Sequence, residues 1–331
     1  IYTIDDWYQM KKTPNQNYKL MNDLDFKNSA ESLYGNINLR GVLDGQGYKI
    51  ENVFVARCLF GTLDKSSKIK NLNIKNLNFT SASGNVGLCT SGTYFEMNNI
   101  NIDTVKMYII SSAKIGILQG TGNNANFKDI TINDVEIYAQ NGESGCIGGV
   151  IGYGQGNINN CYINNLNIKA IDSEFQIGGI LGNPYSANSK VKNVIVNGNI
   201  NTSFGKVGGA IGAGSITLEN SLINVNIVAD GEYVGGIVGS LSGGTCKNNL
   251  YIGNIVNKKN TTYVGEINGN LRNNSVTNNY IYEDNTINGL KILDSKDKLG
   301  VSDLEKKSTY ENILKCDDNY LYENLKNKLP K

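Results

Sequence analysis

A six-residue phrase returns about every thirty residues along this chain. It reads Ile147-Gly148-Gly149-Val150-Ile151-Gly152, then Ile177-Gly178-Gly179-Ile180-Leu181-Gly182, then Val207-Gly208-Gly209-Ala210-Ile211-Gly212, then Val234-Gly235-Gly236-Ile237-Val238-Gly239. Looser copies extend it both ways. Cys58-Leu59-Phe60-Gly61 (with Ala56 leading), Val86-Gly87-Leu88 and Ile115-Gly116-Ile117-Leu118-Gln119-Gly120 come before, and Val264-Gly265-Glu266-Ile267-Asn268-Gly269 comes after. A fixed period of this size means one unit stacked many times, each burying what its neighbour cannot bury alone. The expectation is one elongated solenoid, although 331 residues would fill two ordinary domains.

A second phrase falls about twelve residues after each leading position: Ile69-x-Asn71, Met97-x-Asn99, Phe127-x-Asp129, Ile158-x-Asn160, Val191-x-Asn193, Leu218-x-Asn220, Cys246-x-Asn248 and Val276-x-Asn278. Each unit therefore holds a strand at the glycine phrase, a strand at the Asn phrase, and in several units a third, as at 77–79, 135–137 and 166–168. Turn-forming Gly and Asn between β-branched residues fit this reading. Three strands per unit, each stacking on its counterpart one unit later, describe an all-β parallel β-helix. Crossover chirality makes it right-handed. At about 4.8 Å per rung, eight rungs and caps give a rod about 40 to 50 Å long. The leading residues and those three places later (Leu59, Cys89, Leu118, Val150, Ile180, Ala210, Ile237, Ile267) are apolar and face inward. Glycine beside the leading residue implies either positive φ or a close backbone approach.

Three regions follow. Residues 1–55 form an N-terminal cap and the first coils, with a short helix started by the capping box Thr3-Ile4-Asp5-Asp6 and a turn at Asp44-Gly45-Gln46-Gly47. Residues 56–289 are the repeats. Residues 290–331, rich in Lys and Leu, form a helical C-terminal cap with a capping box at Ser302-Asp303-Leu304-Glu305. The start at Ile1 instead of Met reads as a processed or excised segment.

The eight polar residues of the second phrase, Asn71, Asn99, Asp129, Asn160, Asn193, Asn220, Asn248 and Asn278, read as a structural ladder. Each side chain would bond the rungs above and below and close a turn. A polar binding stripe is the alternative. Because the column keeps the core period, the ladder is preferred. Cys89, Cys161 and Cys246 fall in apolar columns, so they read as small core residues, although Cys58 and Cys89 on adjacent rungs could pair. Asp23 and Asp25 mark a turn, without the oxygen-rich spacing of a calcium loop.

The chain contains no histidine. That removes Ser-His-Asp and Cys-His nucleophile pairs and every His-containing zinc site. No catalytic residue, metal ligand or cofactor is assigned. A net charge of +1 without a basic block argues against nucleic acid, and no apolar run reaches the ~18 residues of a membrane span. Acids spread through Asn-rich turns leave a glycosidase pair as a minor reading. The 19 tyrosines are the best binding clue. Tyr233 and Tyr263 occupy one place on adjacent rungs, and Tyr162 and Tyr280 share another. Tyr138, Tyr153 and Tyr185 complete the candidates. Rings on a rigid outer wall suit protein or glycan contact, while plain strand propensity is the simpler account of them. The corners 183–190 and 139–146 are longer than the rest and are also candidates.

The Val-Gly-Gly-Ile-Val-Gly phrase with its following x-Asn strand resembles the GLUG repeat of bacterial surface proteins. Tyr18-Lys19-Leu20-Met21-Asn22-Asp23-Leu24-Asp25-Phe26, then Gly41-Val42-Leu43-Asp44-Gly45-Gln46-Gly47-Tyr48-Lys49-Ile50, resembles the opening of such domains, and Ser308-Thr309-Tyr310 their end. The family includes adhesins and the non-catalytic region of IgA-protease-type zinc metallopeptidases. The resemblance implies a secreted or cell-surface binding module that contacts a host protein or glycan, with further domains in the parent protein. A substrate-positioning region of a metallopeptidase whose HExxH motif lies elsewhere is the alternative it implies.

Overall fold

The computed structural model describes residues 1–27, 37–81, 84–110, 113–140, 142, 144–171, 174–259, 263–271, 275–291, 297–313 and 315. Equivalent residues lie in register along a parallel β-solenoid of about eight turns. The leading column is continuous: Val86 pairs with Ile115, Ile115 with Ile147, Ile147 with Ile177, Ile177 with Val207, Val207 with Val234 and Val234 with Val264. All are fully buried except Val264 in the last coil.

One coil shows how sequence becomes shape. The strand Gly145–Gly148 forms the first wall and belongs to a seven-stranded sheet. The chain reverses through Gly149 and Val150, then runs as a single extended stretch, Ile151–Ile171, through three more walls. It bends at Asn160 and again at Asn165, where single residues adopt left-handed φ of 54°. Asn tolerates this conformation better than any other residue with a Cβ because its short amide bonds locally. The bends also shift the inward phase. In the preceding coil Phe127, Ile130, Ile132, Val135 and Ile137 are buried, so the spacing is two along a wall and three across a corner. Sequence reasoning expected three strands per unit. The wall after the glycine phrase is the fourth.

The phrase glycines settle between two expectations. None has positive φ among the described residues. A Cβ on Gly179 would sit 2.3 Å from the Gly209 carbonyl oxygen, and one on Gly182 would sit 2.7 Å from the Ile147 nitrogen of the coil before. Close approach of backbone to backbone, within a wall and between walls, is what requires glycine here.

Stacking begins before position 56. Tyr18–Lys19 pairs with Val42–Asp44, and Leu24–Asp25 with Lys49–Val55. The helix α1, Ile4–Gln9, starts at the expected box, with Thr3 Oγ1 accepting from Asp6 N at 3.2 Å and Asp6 Oδ2 accepting from Thr3 N at 3.0 Å. It lays buried Trp7 over the end of the interior, edge-on to Phe26 at 5.7 Å.

At the other end Lys298–Leu299 adds a parallel strand to Tyr280–Tyr282. The four-residue helix α2, Val301–Leu304, is capped by Gly300, whose N–H donates to Asp303 Oδ2 at 3.2 Å, and not by Ser302 as the sequence suggested. Starting earlier turns Val301 and buried Leu304 toward the same apolar strip on the solenoid. The expected helical cap beyond 315, with Cys316, lies outside the described residues, as does Arg272. The other cysteines, Cys58, Cys89, Cys146, Cys161 and Cys246, are buried thiols that form no disulfide, so Cys58 and Cys89 do not pair.

Candidate functional site

The ladder column sits at the first left-handed corner in every coil, with φ between 51° and 56° at all eight positions. Its bonds run coil to coil. Asn71 Nδ2 donates to Asp44 Oδ1 (3.1 Å), Asn99 to Asn71 (2.8 Å), Asn160 to Asp129 (3.0 Å), Asn193 to Asn160 (3.2 Å) and Asn248 to Asn220 (3.2 Å). Asp129 can only accept, so no bond links it to Asn99, whose amide is turned to Asn71. Asn220 Nδ2 bonds the Lys315 carbonyl instead, at 2.8 Å. The second corner carries a ladder that sequence reasoning missed: Asn52, Asn76, Thr104, Asp134 and Asn165, with φ of 52° to 66°. There Asn76 donates to Asn52 (2.8 Å) and Asn165 to Asp134 (2.7 Å). The three-residue spacing of apolar positions around these residues is the signal that marks them.

The tyrosine candidates fall on four different walls. Tyr233 and Tyr263 meet on the first wall, ring centroids 4.8 Å apart, with Lys206 Nζ 5.3 Å from the Tyr233 centroid. Tyr233 itself is buried, so Tyr263 is the exposed member. Tyr153 and Tyr185 meet on the second wall at 5.4 Å, with Lys114 beside Tyr153 at 5.6 Å. Tyr162 and Tyr280 do not belong to an open surface. Together with Ile195, Leu222 and Leu250 they form an apolar strip on the third wall, which Leu299, Leu304 and Tyr310 cover. The sequence placed these rings on one column; Tyr162 is buried within the strip and Tyr280 is partly buried.

The fourth wall holds the most developed feature. Tyr138 stacks on Tyr108 of the preceding coil, with centroids 5.1 Å apart and planes within 7°. Lys169 Nζ lies 5.9 Å from the Tyr138 centroid, and Tyr138 Oη donates to Gln140 Oε1 at 2.8 Å. Beside the rings run Asn78, Lys106, Glu136 and Asn167, with Lys106 and Glu136 paired at 3.5 Å. Phe54 closes one end of the resulting open depression of about 480 Å³. Tyr108 is 49% exposed. Two stacked rings thus lie on the outer wall beside a lysine–glutamate ion pair.

Charge elsewhere is mostly local. Asp23 Oδ1 accepts from Lys49 N of the next coil (2.9 Å), and Asp25 Oδ1 from Lys27 N and Asn52 Nδ2 (both 2.8 Å), so Asp25 closes a turn and both acids tie coil to coil. Among the described residues no group of three or more His, Cys, Asp or Glu is placed to hold a metal ion, and no helix is long and apolar enough to cross a membrane.

No protein-family profile and no curated protein matches this chain. Solved structures do. A crystal structure from Bacteroides ovatus, described as a candidate immunoglobulin A1 protease, aligns with 90% of this chain and 80% of its own at 18% identity and a TM-score of 0.49. An IgA1 protease aligns with 96% of this chain at 12% identity and a TM-score of 0.54. This chain spans about a quarter of that protein, 24% of its length. At such identities the likeness is one of fold.

Proposed function

We propose that this solenoid is a non-catalytic region of a secreted or cell-surface bacterial protein, and that it holds a protein partner against its fourth wall through Tyr108 and Tyr138. The observation that carries the reading is the stacked pair itself. Two large rings with little freedom left to lose offer contact area at low entropic cost. Glu136, the one carboxylate lining the depression, is held by Lys106. Glycoside hydrolysis calls for two flanking carboxylates, so the arrangement favours holding over cutting. The GLUG-type phrase supports export, as do IgA1-protease-like neighbours.

A second reading has its own support. Nearly the whole chain aligns with a quarter of an IgA1 protease. In a parent of that kind the partner is the substrate, and this region positions it for a catalytic domain elsewhere. One experiment separates the readings. The full chain is immobilised and titrated with immunoglobulin A1 and, separately, with other purified serum proteins, using the parent and the Tyr108→Ala/Tyr138→Ala variant. Immunoglobulin A1 binding that the double variant loses supports the peptidase reading. Another serum protein behaving that way supports an adhesin. Binding that is the same in parent and variant refutes the fourth wall as the contact.

A further inference from the structure

The second wall carries a different kind of surface, one the aromatic reading does not use. Between Tyr185 and Lys190 the chain inserts three residues relative to both neighbouring coils. Tyr185 pairs with Ser215 and Lys190 with Thr217, five steps against two. On the other side Asn183 pairs with Tyr153 and Lys190 with Asn157, seven steps against four. The extra residues overhang the wall. They are pinned on both sides: buried Ser189 accepts from Gly156 N through Oγ at 3.3 Å, and Thr217 Oγ1 donates to the Ala187 carbonyl at 3.4 Å. Asn188 N donates to Ser186 Oγ at 3.2 Å within the overhang. A groove of about 700 Å³ results, inside the size range of ligand sites.

Its lining is chemically narrow. Asn157, Asn159 and Asn188 present planar amides, each able to donate and accept at once. Asn193 also lines it, is only 3% exposed, and its Oδ1 has no hydrogen-bond partner. A buried acceptor left this way costs about 1 to 3 kcal/mol, a cost that a donor from a bound molecule removes. The one carboxylate of the lining, Glu219, is paired with Lys247 at 3.3 Å, while Lys190 contributes an exposed cation and Lys192 a half-buried one. Aromatic rings, which would suit an apolar peptide side chain, are absent from this lining.

We propose that this groove binds an acidic glycan chain, with the amides bonding its hydroxyls and Lys190 its carboxylate or sulfate. Amides convergent on one groove match vicinal hydroxyls, which need a donor and an acceptor side by side. The polar columns repeat along the rod at about 4.8 Å, close to the advance per sugar in an extended chain. Successive coils can therefore meet successive sugars in the same way.

The test uses the full chain and calorimetric titration with three hexasaccharides: hyaluronan (carboxylate), heparin (sulfate) and chitohexaose (neutral). Either acidic chain should bind about tenfold tighter than the neutral one, the value of one charge-assisted hydrogen bond, and which one does so identifies the anion. Lys190→Ala should weaken that preference and Lys190→Ala/Lys192→Ala should erase it while keeping weak binding of the neutral chain, and deletion of 186–188 should abolish all of it. An unchanged melting temperature in each variant separates loss of binding from loss of fold. The Tyr108→Ala/Tyr138→Ala variant should bind all three as the parent does, so this inference and the fourth-wall reading fail independently. Equal affinity for all three chains overturns the proposal. So does binding of a glutamate-rich peptide with no saccharide bound.

Discussion

Replacing Asn160 by leucine removes two things that can be priced separately. Asn160 Nδ2 donates to Asp129 Oδ1 at 3.0 Å, and its Oδ1 accepts from Asn193 Nδ2 at 3.2 Å. Each bond is worth about 0.5 to 1.5 kcal/mol net. Asn193 is buried and keeps only a long 3.5 Å contact to Asn159, so its loss falls at the upper end. Leucine must also adopt the left-handed φ of 54°, at about 1 to 2 kcal/mol. The total is about 2 to 5 kcal/mol. Asn160→Gly keeps the conformation free of strain and loses only the bonds and some chain entropy, about 1 to 3 kcal/mol. Stacked repeats need not unfold in one step, so urea unfolding should be paired with hydrogen exchange at residues 126–133 and 190–196. The expected order of stability is parent, glycine, leucine. A leucine variant as stable as the parent, or glycine as damaging as leucine, refutes the corner-and-ladder account.

Two further outcomes follow from the buried groups. Burial pushes the Cys58 thiol up to about 11 and those of Cys146, Cys161 and Cys246 up to about 12. At pH 8 all four should resist iodoacetamide in the native protein and react only in denaturant, read by peptide mapping; native labelling of Cys161 would refute the packing of its column. Glu266 stands where earlier coils have Gly149, Gly179, Gly209 and Gly236. Burial raises its carboxyl pKa, Lys298 opposes this, and its Oε1 has no hydrogen-bond partner. A raised folded value means that its stability contribution is full below the unfolded value near 4.5 and is lost as pH rises through the folded one. Glu266→Gln should leave the melting temperature unchanged at pH 4 and raise it by a few degrees at pH 8; a larger gain at pH 4 than at pH 8 contradicts the assignment.

Much of the coil is legible because its constraints are local and periodic. The leading column, the first corner and the Thr3–Asp6 box each follow from residue type at fixed spacing. The second wall was hidden because Gly120-Thr121-Gly122-Asn123 has neither strand propensity nor alternation. Its extended state is imposed by pairing with the coils on either side, a tertiary effect. Tyr108 was overlooked although Tyr108 and Tyr138 both stand nine residues past their corner residues, Asn99 and Asp129. Counting from corners and not from the glycine phrase exposes that column. The groove was half visible, since 183–190 reads as a long corner, but its amides converge only once three coils are stacked. Tyr162 belongs to an apolar cluster that extends as far as Leu304 and Tyr310, and no local pattern carries that.

A near-perfect repeat has a problem that its own regularity creates. Apolar columns match almost as well one coil out of register, so burial alone does not say which coil stacks on which. The column just past the first corner addresses this. It runs Leu72, Ile100, Ile130, Cys161 and Val194, then changes to Ser221, Asn249 and Asn279. These last three are buried and bonded to one another. Ser221 N donates to Asn249 Oδ1 (3.0 Å), Asn249 N and Nδ2 to Asn279 Oδ1 (3.1 and 2.9 Å), and Asn279 Nδ2 to the Cys246 carbonyl (2.8 Å). A slip by one coil would place a buried amide against Val194 and strand its partners, at about 1 to 3 kcal/mol each. The same coils carry Glu266 in the glycine column and the covered strip on the third wall. Register is therefore specified by polar groups toward the C-terminal end.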